Sequence, residues 1–306
     1  MWFKNLCPYR LMEPFKLSAE ELEAALEGSA FNPCGSLDLQ SRGWVPPMGK
    51  EGMQLVHSAG GVHLLCMREE SKILPSSVIK EVLEERIAER EEKESRKIRK
   101  REKEQLKEEI LFELLPRAFT RTKQTFGYID TNSGWLVVDS GSWKHAEAFT
   151  EHLREALGTL PIAPPATTDA PQSILTDWLE NDNVPADIEL GEEAVFEDPQ
   201  TEGCEVRCKR QDLQAEEIKA HIKSGKRIRR IAMTWADRMS CMIDADYSVK
   251  RLKFSDVVKE SAGDRDTDSY AERFDADFTL LTLEVRKLLP RLMELFGGEA
   301  QESKVA

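Results

Sequence analysis

The chain has 306 residues, with 43 lysines and arginines against 56 aspartates and glutamates, a net charge of −13 and 40% hydrophobic residues. That length and apolar content allow one large core or two or three smaller ones. No run of eighteen apolar residues occurs, which argues against a membrane-spanning helix. The opening residues lack the apolar stretch and cleavage site of a secretory signal, so a cytoplasmic protein is expected.

In chain order, the first residues alternate as a strand does. Ser18 with Glu21 then forms a capping-box signature before Leu22, Ala25 and Leu26, and Gly28 offers the stop of that helix. Asn32-Pro33-Cys34-Gly35 and Trp44-Val45-Pro46-Pro47 read as turns, and Val62 to Met67 as a strand.

Between Glu89 and Gln105 the chain is nearly all charge, and Arg96-Lys97-Ile98-Arg99-Lys100-Arg101 places five cations in six residues. Apolar residues flank it at helical spacing: Val78, Ile79, Val82, Leu83 and Ile87 before, Leu106, Ile110, Leu111, Leu114 and Leu115 after, with Pro75 and Pro116 at the ends. One helix of about forty residues would span roughly 60 Å and leave both stripes unpartnered. Folding back near Ser95 or the basic run solves that, with Val78 near Leu114 and Val82 near Ile110, although no Gly, Pro or Asn marks the turn. A solvated helix face is the plainer reading of such a run.

Past this finger, Thr122 to Asp130 and Trp135 to Asp139 form a hairpin pattern around Asn132-Ser133-Gly134, and Ser142 precedes a helix reaching Gly158. Leu160 to Pro171 is rich in Pro, Ala and Thr and reads as a linker. No Lys or Arg occurs from Glu155 to Val206, and Arg207 to Arg230 then reverses the sign. Ile174 to Leu179 and Ala215 to Ile222 read as helices. Glu205 to Lys209, Ile228 to Trp235, Met239 to Asp244 and Val249 to Phe254 read as strands. Tyr270 to Phe296 is an amphipathic helix, with Pro290 permitting at most a kink or a restart. The order argues for an α+β fold with antiparallel sheets, packed helices and a projecting helical hairpin. The expected division is a discontinuous central domain (1–74 with 117–165), the finger (75–116) and a C-terminal base (166–306).

No phosphate-cradling loop, dinucleotide fingerprint or hydrolase motif is present, and no cofactor is expected. The six cysteines are scattered, so reduced thiols are expected, and Cys204 and Cys208 lack the partners of a zinc site. Asp264, Asp266, Asp268, Asp275 and Asp277 could converge on Mg²⁺ only if an acidic loop folded for it.

The cations make a stronger case. Alternation puts Arg207 with Lys209, and Arg251 with Lys253, on one face of their strands, opposite Val206 with Cys208 and Leu252 with Phe254. Arg117, Arg121, Lys123, Arg210, Lys219, Lys223, Lys226, Arg227, Arg229 and Arg230 add to them. Pairing of each with a nearby acid is the plainer reading. Together they suffice for a phosphate track that reads no bases.

The hexamers MWFKNL at Met1 to Leu6 and FNPCGS at Phe31 to Ser36, with GWVPPMG at Gly43 to Gly49, resemble the bacterial recombination-associated RdgC family. KILPSSVIK at Lys72 to Lys80, LLPRAF at Leu114 to Phe119, KRLKFS at Lys250 to Ser255 and RFDADF at Arg273 to Phe278 extend the resemblance over most of the chain. It implies a ring-shaped homodimer, nucleoid-associated, that encircles double-stranded DNA without sequence preference and restrains RecA-promoted strand exchange. It also implies a dimer contact at Phe119 and DNA contacts at Arg210 and Gln211.

On this reading the inner wall carries Arg207, Lys209, Arg210, Lys226, Arg227 and Arg229 with Arg251 and Lys253. Arg117 and the tip cations Arg96, Lys97, Arg99, Lys100 and Arg101 join it. The competing readings are a scaffold whose charged hairpin docks on an acidic partner, and a Mg²⁺-dependent nuclease.

Overall fold

The computed structural model describes residues 1–260 and 269–300. The elements run β1 (Cys7–Leu11), α1 (Ala19–Glu27), β2 (Gln40–Val45), β3 (Val56–Ala59), β4 (Val62–Lys72), α2 (Ser76–Glu94) and α3 (Lys100–Leu114). Next come β5 (Thr120–Asp130), β6 (Trp135–Val138), α4 (Trp143–Leu157), β7 (Ile162–Ala163), α5 (Pro171–Glu180), β8 (Ile188–Glu197) and β9 (Glu205–Lys209). The chain continues through α6 (Glu216–Lys223), β10 (Arg227–Trp235), β11 (Met239–Asp244), β12 (Val249–Phe254), α7 (Asp256–Glu260) and α8 (Tyr270–Leu295). All ladders between these strands are antiparallel, as the α+β reading expects.

Two sheets result. A seven-stranded sheet runs β2-β4-β5-β6-β1-β7, with β3 also on β4, and a five-stranded sheet runs β12-β11-β10-β8-β9. Helices α1 and α4 cover one face of the first sheet, where Leu22, Leu26, Phe149 and Leu153 pack on Leu65, Met67, Ile129 and Leu136. Its other face offers Phe3, Leu64, Tyr128 and Val137 to α8. The same core continues through Phe278, Leu281, Val285 and Leu288 to Ile228, Ile231, Ile243, Leu252 and Phe254 of the second sheet. Full burial of a side chain such as Phe278 contributes roughly 1.5–3 kcal/mol. Helix α8 is thus the central layer, and an ion pair fixes it. Arg286 donates to both oxygens of Asp130 at 2.5 and 2.8 Å, at the β5–β6 turn. Burial pushes the Asp130 carboxyl up, but the bonds from Arg286 and Ser133 outweigh it and hold the group below the usual carboxylate range.

Two local expectations need correction. Trp44 and Val45 end strand β2 rather than forming a turn. The strand passes through Gly43, where the backbone of Ala30 and Phe31 leaves no room for a side chain. The stretch 160–171 is strapped down, because Ile162 and Ala163 pair with β1 and Thr167 bridges Glu299. Helix α8 carries on through Pro290 to Leu295, within the expected Tyr270 to Phe296. In the finger, Val78 is 40% exposed and α2 contributes no buried side chain.

The finger itself is the expected hairpin, and its turn closes without glycine. Ser95 adopts the left-handed conformation (φ 50°), the Glu91 carboxylate accepts from the Ile98 N–H at 3.0 Å, and Glu102 accepts from the Arg99 N–H at 2.9 Å. Ile98, the one apolar residue of the basic run, is buried beneath the turn. Arg86 bonds Glu113 across the two helices at 2.7 Å.

Candidate nucleic-acid interface

The inner face of the five-stranded sheet is spent on the core, so period-two alternation sends every intervening side chain outward. On β9, Cys208 is buried while Arg207 and Lys209 are exposed; on β12, Leu252 and Phe254 are buried while Arg251 and Lys253 are exposed. A bulge between the pairings Ser240–Lys253 and Met242–Lys250 places Arg251 at φ 53° and brings Lys250 onto the same face.

Two adjoining concavities cross this face. The first, about 390 Å³, is lined by Asn5 and by six cations, Arg207, Lys209, Arg229, Arg230, Lys250 and Arg251, with Glu193 and Glu205. Asp244, 1% exposed, lies beneath it and accepts from Arg230 Nε at 2.8 Å and from Lys250 at 3.2 Å. Glu197 adds a fourth carboxylate 3.8 Å from Arg229, so six cations against four carboxylates leave a local excess of two positive charges on a chain of net charge −13. The second, about 520 Å³, shares Glu193, Met242 and Arg251 with the first. Its floor is small (Gly191, Ala232, Ser240) and its rim carries Arg210 and Lys253 with Glu192.

The cations differ in how firmly they are held. Glu205 is shared by Arg207 and Arg229, each at 2.7 Å, and Glu193 is gripped by both terminal nitrogens of Arg251 at 3.2 and 2.5 Å. The hydrogen bonds from Arg251 and from Arg207 hold Glu193 and Glu205, respectively, below their ordinary range. Among the described residues, Lys209, Arg210, Lys226, Arg227 and Lys253 have no carboxylate within ion-pair distance; Arg227 bonds only the Lys226 carbonyl. Gln211 is exposed beside Arg210, its N–H bonded to the Glu192 carbonyl at 3.3 Å.

At the finger tip the basic run splits. Arg96 is clamped at 2.6 Å by both Glu94 and Glu102, and Lys97 bonds Glu91 at 2.7 Å. The Arg96 guanidinium, aided by the Arg99 N–H, pulls the Glu102 carboxyl down to about 2. Arg99, Lys100 and Arg101 are exposed and have no carboxylate partner among the described residues. Arg117 is exposed at the finger base. Nearby, Arg121 and Lys123 line a third concavity of about 830 Å³ with His145 and with Arg42, which is held by Glu151 and Glu155. Phe119 is 84% exposed; its carbonyl accepts from the N–H of Ile73, itself 47% exposed.

The structure therefore brings Arg207, Lys209, Arg229 and Arg251 into one concavity, with Arg210 and Lys253 on its neighbour. The tip cations and Arg117 are carried by the finger, apart from that sheet. Sequence reasoning misses Lys250 as a member of the face and misses the carboxylates that hold its arginines. The signal for Glu193 is present in β8, where Ile188, Leu190, Ala194 and Phe196 turn inward among the acids.

Among the described residues no three His, Cys, Asp or Glu side chains converge in a way that could hold a metal ion. Asp275 bonds His57 at 3.2 Å and Asp277 bonds the terminal amine at 2.5 Å, while Asp264, Asp266 and Asp268 lie outside the described residues. Burial pushes the Cys7, Cys66 and Cys241 thiols up to about 12. No helix among the described residues is long and apolar enough to cross a membrane.

Comparison with known proteins matches residues 1–299 to the family described as "Putative exonuclease, RdgC". The "Recombination-associated protein RdgC" of Halorhodospira halophila is 54% identical over 303 residues, covering 99% of this chain and 100% of the relative. The proteins of the same name from Aeromonas hydrophila and Psychromonas ingrahamii are each 45% identical, over 301 and 299 residues, covering 98% of this chain and 99% of either relative.

Proposed function

This chain belongs to the RdgC family of recombination-associated proteins, and we propose that it is a non-enzymatic protein that binds duplex DNA without sequence preference. The observation that carries the reading is the outward face of the five-stranded sheet, with six cations around four carboxylates on an otherwise acidic chain. A phosphate backbone matches such a face, because side chains fixed on strands can meet successive phosphates and release their condensed counterions. Among the described residues the face offers no helix for the major groove and no exposed aromatic pair for stacking bases, which favours backbone contact over base readout.

A closed homodimer accounts for how a chain of −13 approaches DNA, since it sorts acids to the outside and this face to the hole. The exposed Phe119 and Ile73 at the finger base supply an apolar contact for the second copy. Duplex held in this way is closed to RecA-promoted invasion, so the protein restrains recombination by occlusion in the nucleoid.

Fluorescence anisotropy with two duplexes of unrelated sequence tests the binding. Equal affinities that fall by orders of magnitude between about 50 and 200 mM salt are expected, and a salt-independent affinity contradicts the reading. An exonuclease, the activity in the family description, would shorten linear duplex during incubation with Mg²⁺, whereas an unchanged duplex is expected. The unpaired Arg99, Lys100 and Arg101 favour, as a second reading, a finger that docks on an acidic protein. Their replacement by alanine would then abolish partner capture and leave DNA affinity intact.

A further inference from the structure

We propose that Glu193 and Glu205 are built-in counter-anions of the DNA-binding face, holding Arg251, Arg207 and Arg229 away from phosphate and so capping the affinity for duplex. The inference rests on the reading of that face as the DNA wall. Both carboxylates line the concavity itself, with side chains 26% and 23% exposed, and between them they engage three of its six cations. Arg251 gives Glu193 both terminal nitrogens, the fork geometry that it would otherwise offer to a phosphate. Strand register fixes these acids in place, with Glu193 opposite Lys209 and Glu205 opposite Glu197, so neither swings aside with a loop.

The energetic consequence follows from counterion release. A cation contributes to polyanion binding by shedding mobile ions, and an arginine whose counter-ion is tethered sheds fewer. Lys209 and Lys253 are unencumbered, so the face is poised to hold duplex with part of its charge while the arginines exchange between carboxylate and phosphate. Such a surface binds densely charged polyanion weakly enough to move along it.

The test is the salt dependence of duplex affinity for Glu193→Gln/Glu205→Gln, which keeps side-chain shape and removes two charges. A charge-matched control, Glu20→Gln/Glu27→Gln, alters α1, which packs on the other sheet and whose two chosen carboxylates hold no cation among the described residues. The face variant should bind at least about tenfold tighter at 50 mM salt, with a log–log slope steeper by about one to three, near 0.9 per freed contact. The control should match wild type. Unchanged affinity and slope in the face variant, or an equal gain in the control, overturns the proposal while leaving DNA binding intact. Absence of salt-dependent binding in wild type overturns the DNA reading and the proposal together. The single variants, checked by thermal melting, should each give a partial shift, and no shift in either folded single variant has the same force as no shift in the double.

Discussion

The finger tip and the outer sheet face are both rich in cations, yet they present charge differently. At the tip, helix carboxylates one turn away consume Arg96 and Lys97 and serve at the same time as caps for the turn. On the sheet, the core holds each strand in register and alternation forces the cations out, so charge is displayed on a surface anchored from behind. On the proposed reading, cations dispersed at period two mark the polyanion site better than a dense run does. Ion pairs hold cations in both places, but on the sheet the packed core decides which face each strand side chain takes, whereas at the tip that is left to the turn.

The largest expected effect tests that anchoring. Asp130→Ala leaves Arg286 without its buried partner and the β5–β6 turn without its acceptor, and should cost about 3–5 kcal/mol in urea unfolding. Glu102→Gln, which breaks the equally well-formed but solvent-exposed clamp on Arg96, should leave the urea midpoint near its wild-type value. Similar losses in both would erase the contrast between the regions.

Next in size is the direct comparison of cations. Lys209→Ala/Arg210→Ala/Lys253→Ala should weaken duplex binding about 100-fold at low salt and lower the log–log slope by about three, one per lost phosphate contact. Arg99→Ala/Lys100→Ala/Arg101→Ala should weaken it only about two- to fivefold if the finger is peripheral to the phosphate track. A reversed order, measured by the same anisotropy titration, would move the DNA site to the finger.

The smallest effect concerns protons at the tip. The Arg96 guanidinium and the Arg99 N–H depress the Glu102 carboxyl from its ordinary 4.5 to about 2, so its contribution to the finger is complete above 4.5 and is lost as pH falls toward 2. Carbon NMR of the Glu102 carboxyl should show a midpoint near 2, and a midpoint near 4.5 would mean that the clamp does not persist in solution.

Much of this was legible in the sequence, for reasons particular to each element. Strands β9, β10 and β12 follow from alternation of cation and apolar residue, and α1 from a capping box that forms as written, with Ser18 and Glu21 exchanging bonds at 3.2 and 2.8 Å. The hairpin follows from two apolar stripes that need each other. Strand β8 was hidden because glutamates are poor strand formers, and only partners on both sides, β9 and β10, hold it in the sheet. Strand β2 was hidden by Gly43, whose role is to let the backbone of Ala30 and Phe31 cross. The candidate site was half legible. Which cations face outward can be read from period two, but the carboxylates that hold them come from strands distant in sequence, and only the register unites Glu193 of β8 with Arg251 of β12.

Ultraviolet crosslinking of the protein to duplex DNA, with the attached peptides identified by mass spectrometry, tests most directly that the sheet face meets the backbone. Crosslinks concentrated in 205–211, 226–235 and 249–254 are expected. Crosslinks confined to 94–103, with none on the sheet, would contradict the account.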